Sequence, residues 1–505
     1  MVIYLSFFHN IASVPLFDRD EGAFSEATRE MFERRDFIST YLDGKPRYDK
    51  PILIYWFQAL GVILFGVNEF AFRFPSAVFA GLWLIFIFFF CKKYLDIQTA
   101  VFAAVIHGTS LVTSIIGSAA TADALLNMLL VLVMFDIWRY YSEGQKIILY
   151  RVFLWMGLGF LTKGPIIVLI PFMVTLLFYS IQRRWKDWFK AVFNPVSILI
   201  FLAIILPWYI AQYLKEGQAF IDGFFLKHNV NRFASPMENH GGAIFYYIPV
   251  LLIMLIPHTS LLIRTFERIR FIFRDKMDMY LWLWFLFVFV FFSISGTKLP
   301  HYMLYGCTPL FILMARYRKK LKSSFLIILP ALLFILLVLI LPYIIPRFTH
   351  TIDDELIRNM LKESSAAFDW QYYFWSILPL VLLIILPFIR VIRQWQIIIP
   401  AGLLSLLIFT NVLFPVAGEV MQEPIKEAAL IAKEKNYNVV MWGMIQPSFS
   451  VYRQKITKHR RPEDGEIAIT KVELLKEFGS YTVLYKRGGL ALVHVEKSYP
   501  ESQGM

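Results

Sequence analysis

Charged side chains are scarce in this sequence. They make up 17% of its 505 residues, whereas hydrophobic residues make up 58%. Roughly a quarter of the residues of an average soluble domain are charged. A soluble chain of this length would split into several domains with charged surfaces, yet apolar runs recur here from the N-terminus to about Phe414. The composition therefore excludes an ordinary soluble protein and predicts a polytopic membrane protein.

Cysteine is also nearly absent. Cys91 and Cys307 both lie in apolar runs, and their spacing excludes a disulfide framework or a cysteine-based metal site. The formal net charge of +13 is carried mainly by short hinges between apolar runs, so it indicates membrane topology and no nucleic-acid partner. The run from Met1 to Phe17 lacks a basic leader and a small-residue cleavage site, and we interpret it as a short first span.

The apolar runs predict transmembrane helices. A run of about twenty apolar residues can cross a hydrocarbon core roughly 30 Å thick as a helix. Long runs such as Ser323 to Ile345 exclude a β-barrel, which would show short alternating segments. The positive-inside rule assigns the Lys- and Arg-rich hinges to the cytoplasm and yields about thirteen spans. An odd count places the N-terminus inside and the chain after Phe414 outside.

The domain organisation follows from a change in composition. We expect residues 1–414 to form the transmembrane domain, with interfacial helices within residues 20–66, and residues 415–505 to form a small α/β domain on the outer face. In the latter, Tyr481–Arg487 and Leu490–Glu496 flank Gly488-Gly489, which is a signal for a two-residue hairpin. We expect this domain to shield or brace the membrane domain.

Two carboxylates are candidate catalytic groups. Asp20 follows the first apolar run, where partial desolvation would raise its basicity enough to accept a proton from a hydroxyl group. Asp123 opens a later span, where an ionisable group is costly unless it is paired or reaches a water-filled cavity. For each aspartate the alternative is a helix N-cap.

Lone basic residues gather on the predicted outer face, against the positive-inside bias. Phosphate is a ligand that would explain them, because charge-assisted hydrogen bonds to phosphate are strong. The alternative is snorkelling to lipid headgroups. The candidate phosphate-binding residues are Arg47, Lys50, Lys163 and Lys298.

A divalent cation remains open as a cofactor, although no cofactor is certain. His228, Arg232, Glu238 and His240 lie in the long hinge from Leu214 to Gly242, and its histidine and carboxylate groups could bind a metal together with Asp49. No fixed metal-binding spacing accompanies them, so a solvated loop is the better interpretation.

Several strings occur in the same order as in a known family. They are Asp18-Arg19-Asp20-Glu21-Gly22-Ala23-Phe24, Tyr48-Asp49-Lys50-Pro51, Thr121-Ala122-Asp123, Leu161-Thr162-Lys163-Gly164-Pro165 and Thr297-Lys298-Leu299-Pro300-His301-Tyr302. Through them the chain resembles the GT-C glycosyltransferases of the aminoarabinose (lipid A) transferase and protein O-mannosyltransferase group. The likeness covers the membrane part and extends more faintly to the C-terminal domain.

The resemblance implies a GT-C fold and transfer of a sugar from a polyprenyl-phosphate carrier to lipid A or a related envelope glycan. The reaction would occur at the periplasmic face of the bacterial inner membrane, with the carrier-linked sugar, the lipid or glycan acceptor and membrane lipids as partners. The family's acidic positions map to Asp20 and Asp123, and its phosphate-binding lysine maps to Lys50. The residues expected to line the substrate groove are Tyr48, Glu21, His301 and Tyr302.

Two departures from the family pattern are visible. Ala23 stands where aminoarabinose transferases have an arginine, and Asp49 stands where a glutamate is usual before the lysine. The first affects the expected donor-phosphate contacts, and the second affects a family-like metal site.

Two other functions are compatible with the sequence. Protein O-mannosylation is the enzymatic alternative. A transporter or flippase for the lipid carrier is an alternative of another class, because transporters also have many spans with polar groups. Against transport, the sequence has no clear internal repeat and no matched pair of Gly/Pro-broken spans.

Overall fold

The computed structural model describes residues 1–224, 227, 242–389 and 391–498. A helical part comes first, followed by a small part built on a sheet. The helices of the first part are α1 (Asp20–Arg34), α2 (Leu53–Phe65), α3 (Glu69–Tyr94), α4 (Ile97–Thr109), α5 (Leu111–Ser118), α6 (Asp123–Glu143), α7 (Lys146–Lys163), α8 (Ile166–Ile181), α9 (Trp185–Val192), α10 (Pro195–Glu216), α11 (Gln218–Ile221), α12 (Tyr247–Met254), α13 (Thr259–Phe266), α14 (Lys276–Ile294), α15 (Cys307–Tyr317), α16 (Ser324–Phe348), α17 (Glu355–Lys362), α18 (Trp370–Ile385), α19 (Ile398–Ile408) and α20 (Phe414–Met421).

The helical part is a multi-pass membrane fold. Among the described residues, seven helical stretches are long and apolar enough to span a membrane, and the α4–α5 pair, bent by 64°, would be an eighth. The helices α2 and α8 are apolar but shorter. The membrane-embedded helical class is therefore confirmed, whereas the count of about thirteen spans is not. Residues such as Pro171 and Pro207 lie inside helices, and proline interrupts the regular hydrogen-bonding pattern.

The N-terminal run differs from the expected first span. Its described π-helix covers only Tyr4–Phe8, and Asn10 then adopts a φ of 63°. The carbonyl groups of Ile11 and Val14 accept hydrogen bonds from the guanidinium of Arg73. These two carbonyl groups therefore have hydrogen-bond partners although their segment is not helical. The run is packed against the bundle through buried Phe7 and Ile11.

A fully buried ion pair joins three segments of the chain. Arg73 of α3 is 0% exposed and donates to both carboxylate oxygens of Glu21 at 2.8 and 2.7 Å. Glu21 also accepts the backbone N–H of Phe17 at 2.8 Å and that of Ala120 at 2.6 Å. A buried charge must be paired and hydrogen-bonded to be tolerated, and this carboxylate is satisfied on both oxygens. The pair fixes the start of α1 beside the loop before α6.

Helices α6 and α7 form an antiparallel hairpin. Gly144 ends α6 with a φ of 71°, a left-handed conformation that glycine adopts without strain, and α7 begins two residues later. An 18-residue helix is about 27 Å long. The first residue of α6, Asp123, and the last residue of α7, Lys163, therefore return to the same face of the bundle.

The C-terminal part combines two helices with a five-stranded sheet. Its elements are α21 (Glu423–Glu434), α22 (Pro447–Arg453), β3 (Val439–Trp442), β4 (Lys458–His459), β5 (Ile467–Lys471), β6 (Phe478–Arg487) and β7 (Leu490–Ser498), while β1 (Tyr41–Leu42) and β2 (Lys45–Pro46) form a separate hairpin after α1. The strand order is β4-β3-β5-β7-β6, with β3 parallel to β4 and β5 and the other pairs antiparallel. The predicted hairpin turn at Gly488-Gly489 is confirmed, with φ values of 57° and 77°.

Helix α22 of the C-terminal part docks on α1. Asp18 accepts a hydrogen bond from the backbone N–H of Ser448 at 3.0 Å and another from its hydroxyl group. Asp43 accepts from the hydroxyl of Ser450 at 2.7 Å and lies 2.8 Å from Nε2 of His459. We call these contacts the α1–α22 seam. It holds the segment immediately before Asp20 against the C-terminal part.

The seam requires a glycine at position 22. A Cβ atom there would lie 1.9 Å from Oδ1 of Asp18 and 2.7 Å from the backbone N of Ser448. We expect Gly22→Ala to loosen the seam and lower the free energy of unfolding by about 1–3 kcal/mol, the usual cost of overpacking. Thermal unfolding and protease cleavage of the purified protein would measure both effects.

Gly479→Ala is the matched control, because its Cβ would meet only Lys497, at 3.3 Å or more. Equal unfolding temperatures and equal cleavage rates for Gly22→Ala and wild type would contradict the tight packing described for the seam.

Candidate active site

An ion pair lies where the α6–α7 hairpin opens. Nζ of Lys163 lies 2.5 Å from Oδ1 of Asp123, and the hydroxyl of Tyr305 donates to the same oxygen at 3.4 Å. The ammonium of Lys163 also lies 5.6 Å from the centre of the Tyr305 ring. Asp123 and Lys163 are 40 positions apart in sequence, and the antiparallel hairpin brings them together.

Asp20 belongs to the same group of charges. It is the first residue of α1, and burial raises the pKa of its carboxyl group above the ordinary value of 3.8. The negative charges of Asp123 and Asp49 raise this pKa further, whereas Lys163 and Lys50 lower it. Asp20 is nevertheless exposed to water. The structure thus surrounds Asp20 with two acidic and two basic neighbours.

A second basic cluster adjoins Asp20. Asp49 bridges Lys50, whose Nζ lies 2.6 Å from Oδ1, and Arg47, whose Nη2 lies 3.2 Å from Oδ2. The guanidinium of Arg47 packs over the ring of Phe24 in α1 at 5.1 Å. Three candidate phosphate-binding residues, Arg47, Lys50 and Lys163, therefore stand around Asp20 and Asp123, with Lys50 acting electrostatically on both carboxylates.

The structure contradicts the alternative that Asp20 and Asp123 are helix N-caps. The N-cap of α1 is Arg19 and that of α6 is Ala122, and neither helix has a side-chain capping bond. Asp20 and Asp123 each occupy the first helical position instead. Their carboxylates are free to serve the charge cluster while still favouring the positive ends of the helix dipoles.

The other expected site residues lie at the edges of this cluster. The Tyr48 hydroxyl donates to Glu216 at 2.9 Å, next to the bridging Asp49. Lys298 is buried and donates to the carbonyl of Ser295 at 2.7 Å, within its own loop, and among the described residues no hydrogen bond or ion pair joins its ammonium to the Asp123–Lys163 pair.

The two expected groove residues after Lys298 are close together. The rings of His301 and Tyr302 lie 4.9 Å apart, and His301 is near enough to Asp123 to interact electrostatically with it. Tyr302 packs on Phe292 at 4.8 Å. Both rings therefore stand on the α14–α15 side of the Asp123–Lys163 pair.

Glu21 is a correction to the expected groove. It is 4% exposed, and both of its oxygens are occupied by Arg73 and two backbone N–H groups. Consecutive helical residues point about 100° apart, so Glu21 faces the bundle while Asp20 faces the charge cluster. Glu21 stabilises the start of α1 and is not available to line the groove.

The loop residues considered for a metal site fall outside the structure. His228, Arg232, Glu238 and His240 are not among the described residues. Within the residues that are described, no group of three or more His, Cys, Asp and Glu side chains is arranged to hold a metal ion.

Sequence reasoning missed three residues of this region. Tyr305 was overlooked, although it follows Tyr302 by three positions in a buried 3₁₀-helix. Arg73 is not among the candidate site residues, although a lone arginine inside an apolar span indicates that it has a buried partner. Ser448 gives no local signal, because its contact with Asp18 joins positions 430 residues apart.

The chemistry available to the site follows from its charges. Cations fixed by ion pairs at the rim of a low-dielectric bundle can stabilise negative charge that develops on phosphate oxygens. A carboxylate of raised pKa can accept a proton or orient an attacking group. The arrangement therefore suits displacement of a phosphate leaving group from an electrophilic carbon.

Comparisons with known proteins find similar sequences and a similar fold. Residues 49–210 match the family described as dolichyl-phosphate-mannose-protein mannosyltransferase. The undecaprenyl phosphate-alpha-4-amino-4-deoxy-L-arabinose arabinosyl transferases of Edwardsiella ictaluri and Aeromonas hydrophila are 32% and 33% identical to this chain over 315 and 309 residues. These alignments cover 61% and 60% of this chain. The chain spans 56% of the length of each relative.

The fold has a solved counterpart. ArnT from Cupriavidus metallidurans, crystallised bound to undecaprenyl phosphate, superposes with a TM-score of 0.81 at 17% sequence identity. The superposition covers 97% of this chain and 95% of that one. The family match over residues 49–210 and the two relatives confirm the resemblance to the aminoarabinose transferase and protein O-mannosyltransferase group, and the superposition shows that the chain shares the fold of ArnT.

Proposed function

We propose that this protein transfers a sugar from a polyprenyl-phosphate carrier to lipid A or a related envelope glycan. The observation that carries the proposal is the charge cluster of Asp20, Asp123, Lys163 and Lys50 at one end of the membrane bundle. We further propose that this end faces the periplasm from the bacterial inner membrane. The names of the relatives, which are transferases of an undecaprenyl-phosphate-linked sugar, support this substrate class.

The basic residues would act on the leaving group. In the proposed reaction an acceptor oxygen attacks the anomeric carbon, and the bond from that carbon to the carrier phosphate breaks. The carrier leaves as a phosphate monoester with one more negative charge than the diester. Lys50, Arg47 and Lys163 would stabilise this charge, and an ammonium with three donors can hold both a carboxylate and a phosphate oxygen.

The acidic residues would act on the acceptor. If the attacking group is a hydroxyl, Asp20 accepts its proton as the carbon–oxygen bond forms. If the attacking group is a phosphate, no base is needed, and Asp20 orients the acceptor and tunes the cations. Asp123 would position Lys163 in either case, since it holds that ammonium at 2.5 Å.

Protein O-mannosylation is the second candidate, favoured by the family that matches residues 49–210. A deletion strain distinguishes the two functions through mass spectra of lipid A and of periplasmic glycopeptides. Loss of a lipid A substituent supports the proposal. Unchanged lipid A together with lost glycopeptides would replace it with protein mannosylation.

The proposed roles of the acidic residues are tested with Asp20→Asn. This variant keeps the size and the helical position of the side chain but removes the base, so we expect sugar transfer to a hydroxyl acceptor to fall by about 100-fold or more. Lipid A from the complemented deletion strain and turnover by purified protein are the measurements. Transfer at the wild-type rate by a variant of equal expression and unfolding temperature would rule out a catalytic role for Asp20.

The raised pKa of Asp20 predicts where the rate of sugar transfer declines at acidic pH. A base must be deprotonated to work, so transfer to a hydroxyl acceptor should decline as the pH falls through a pKa above 3.8. Asp49→Asn removes a negative charge that raises this pKa, and the midpoint should then move to lower pH. Initial rates between pH 3.5 and pH 8, about the span that brackets a shifted carboxyl group, give both midpoints. A midpoint unmoved by Asp49→Asn would contradict the coupling.

The proposed phosphate contact is tested with Lys50→Ala. We expect weaker binding of undecaprenyl phosphate, by about tenfold, because a charge-assisted hydrogen bond contributes about 1.5 kcal/mol. Lys45→Ala is the matched control, an exposed lysine of the same loop in β2. Fluorescence titration of protein in nanodiscs measures both affinities. Equal losses in the two variants would show a general charge effect instead of a phosphate site.

A further inference from the structure

The last two turns of α10 contact the loop that carries two of the candidate phosphate-binding residues. Trp208, Gln212 and Glu216 recur at intervals of four residues, so their side chains lie along one face of this helix. The loop between α1 and α2 binds to that face before it reaches Arg47 and Lys50. None of the three α10 residues belongs to the charge cluster.

Two hydrogen bonds attach the first half of the loop to α10. The indole N–H of Trp208 donates to the carbonyl of Ile38 at 3.0 Å, and the hydroxyl of Ser39 donates to Oε1 of Gln212 at 2.9 Å. Trp208, Gln212 and Ser39 are all buried. A buried polar group that loses its partner costs free energy, so these contacts fix the loop before β1 begins.

Glu216 binds the loop on both sides of the β1–β2 hairpin. Its carboxylate accepts the hydroxyl of Tyr41 on Oε1 at 3.1 Å and the hydroxyl of Tyr48 on Oε2 at 2.9 Å. Tyr41 is the first residue of β1, and Tyr48 follows the last residue of β2 by two positions. One carboxylate therefore holds both ends of the hairpin at the end of α10.

The two tyrosines are suited to remain hydrogen-bond donors. Burial, together with the hydrogen bond to Glu216, raises the pKa of Tyr48 to about 12 and that of Tyr41 above its ordinary value of 10. Both hydroxyls therefore stay protonated at neutral pH. The Tyr41 ring is also held by cations, because the guanidinium of Arg34 lies 4.2 Å and the ammonium of Lys215 6.0 Å from its centre.

Tyr48 lies between the two candidate phosphate-binding residues of the loop. Arg47 precedes it, and Asp49, which bridges Arg47 and Lys50, follows it. The Tyr48 ring packs on Phe220, with the ring centres 6.2 Å apart. Adjacent Cα atoms are about 3.8 Å apart, so a displacement of Tyr48 also displaces the two cations.

From these contacts we infer that Glu216 is a positioning residue for the carrier phosphate. It holds Tyr48, and through Tyr48 it holds Arg47 and Lys50 at the place where the phosphate binds. Electrostatic stabilisation depends on charges that are already in place, because ordering two long side chains on binding costs conformational entropy. The inference rests on the proposed function, since it concerns the donor of that reaction.

The test begins with binding of undecaprenyl phosphate to the full-length protein in nanodiscs. Glu216→Ala removes both acceptors, and we expect the affinity to fall about fivefold, because the cations remain but are no longer held. Undecaprenol, the same lipid without phosphate, is the comparison probe and should bind wild type and variant equally. A variant that loses affinity equally for both lipids would show a loosened lipid site and would overturn the inference.

Two substitutions show whether the hydrogen bonds carry the effect. Glu216→Gln keeps the length of the side chain, and its amide can pair with both tyrosines because a hydroxyl group both donates and accepts. We therefore expect this variant to bind undecaprenyl phosphate like wild type, whereas Tyr48→Phe should reproduce most of the loss seen in Glu216→Ala. Tyr213→Phe is the matched control, because Tyr213 is an exposed tyrosine of the same helix outside these contacts. An equal loss in Tyr213→Phe, or wild-type affinity in Glu216→Ala, would contradict the positioning role.

The double variant Glu216→Ala/Lys50→Ala tests whether Glu216 acts through the cations. Residues that act through one another have non-additive effects, so the loss caused by Glu216→Ala should shrink to about twofold or less when Lys50 is already alanine. The same fivefold loss in both backgrounds would assign Glu216 a general structural role instead.

The outcome for Glu216 is separate from that for the proposed function. The binding measurements need no sugar transfer, whereas failure of the proposed function would appear as no transfer from the carrier by wild type. Where wild type does transfer sugar, kcat/KM for the carrier-linked donor should fall in Glu216→Ala and be restored in Glu216→Gln. A fall in kcat/KM that Glu216→Gln does not restore would overturn the assignment to these hydrogen bonds.

Discussion

The buried ion pair between Glu21 and Arg73 is the contact on which the active-site geometry depends. It joins the N-terminal segment, the first turn of α1 and the backbone at Ala120 inside the bundle, where an unpaired charge would be strongly destabilising. Asp20 directly precedes Glu21 at one end of this network, and Asp123 lies three residues after Ala120 at the other end. The network therefore sets the distance between the two carboxylates, although it touches neither of them.

Further elements hold the site together. The α1–α22 seam holds the segment before α1, while the α6–α7 hairpin of the membrane part brings Lys163 beside Asp123. Arg47 and Lys50 come from the loop between α1 and α2 and share Asp49 as their counterion. Charges held in this way need little reorganisation when a phosphate group becomes more negative, which is the condition for electrostatic stabilisation of a leaving group.

The sequence predicts some of this structure well, and the physical reasons are specific. Apolar run length is a property of the local sequence, so it predicts membrane helices, and the Gly488-Gly489 turn is encoded by its own two residues. The number of spans is not confirmed, because bent pairs, short helices and an N-terminal run with only a short helix all resemble spans in a hydropathy pattern. The pairing of Asp123 with Lys163 depends on hairpin packing, and the direction of Glu21 depends on Arg73, so neither could be read from local sequence.

Residues 18–20 serve three different surfaces in succession. Asp18 belongs to the seam, Arg19 lines a cavity between the helical and C-terminal parts, and Asp20 belongs to the charge cluster. Asp18 and Arg19 precede α1 and Asp20 is its first residue, so adding or removing one residue here would change more than one of these assignments at once. Substitutions can therefore accumulate in this stretch during evolution more readily than changes of length, and alignments of related chains should be gap-free across it.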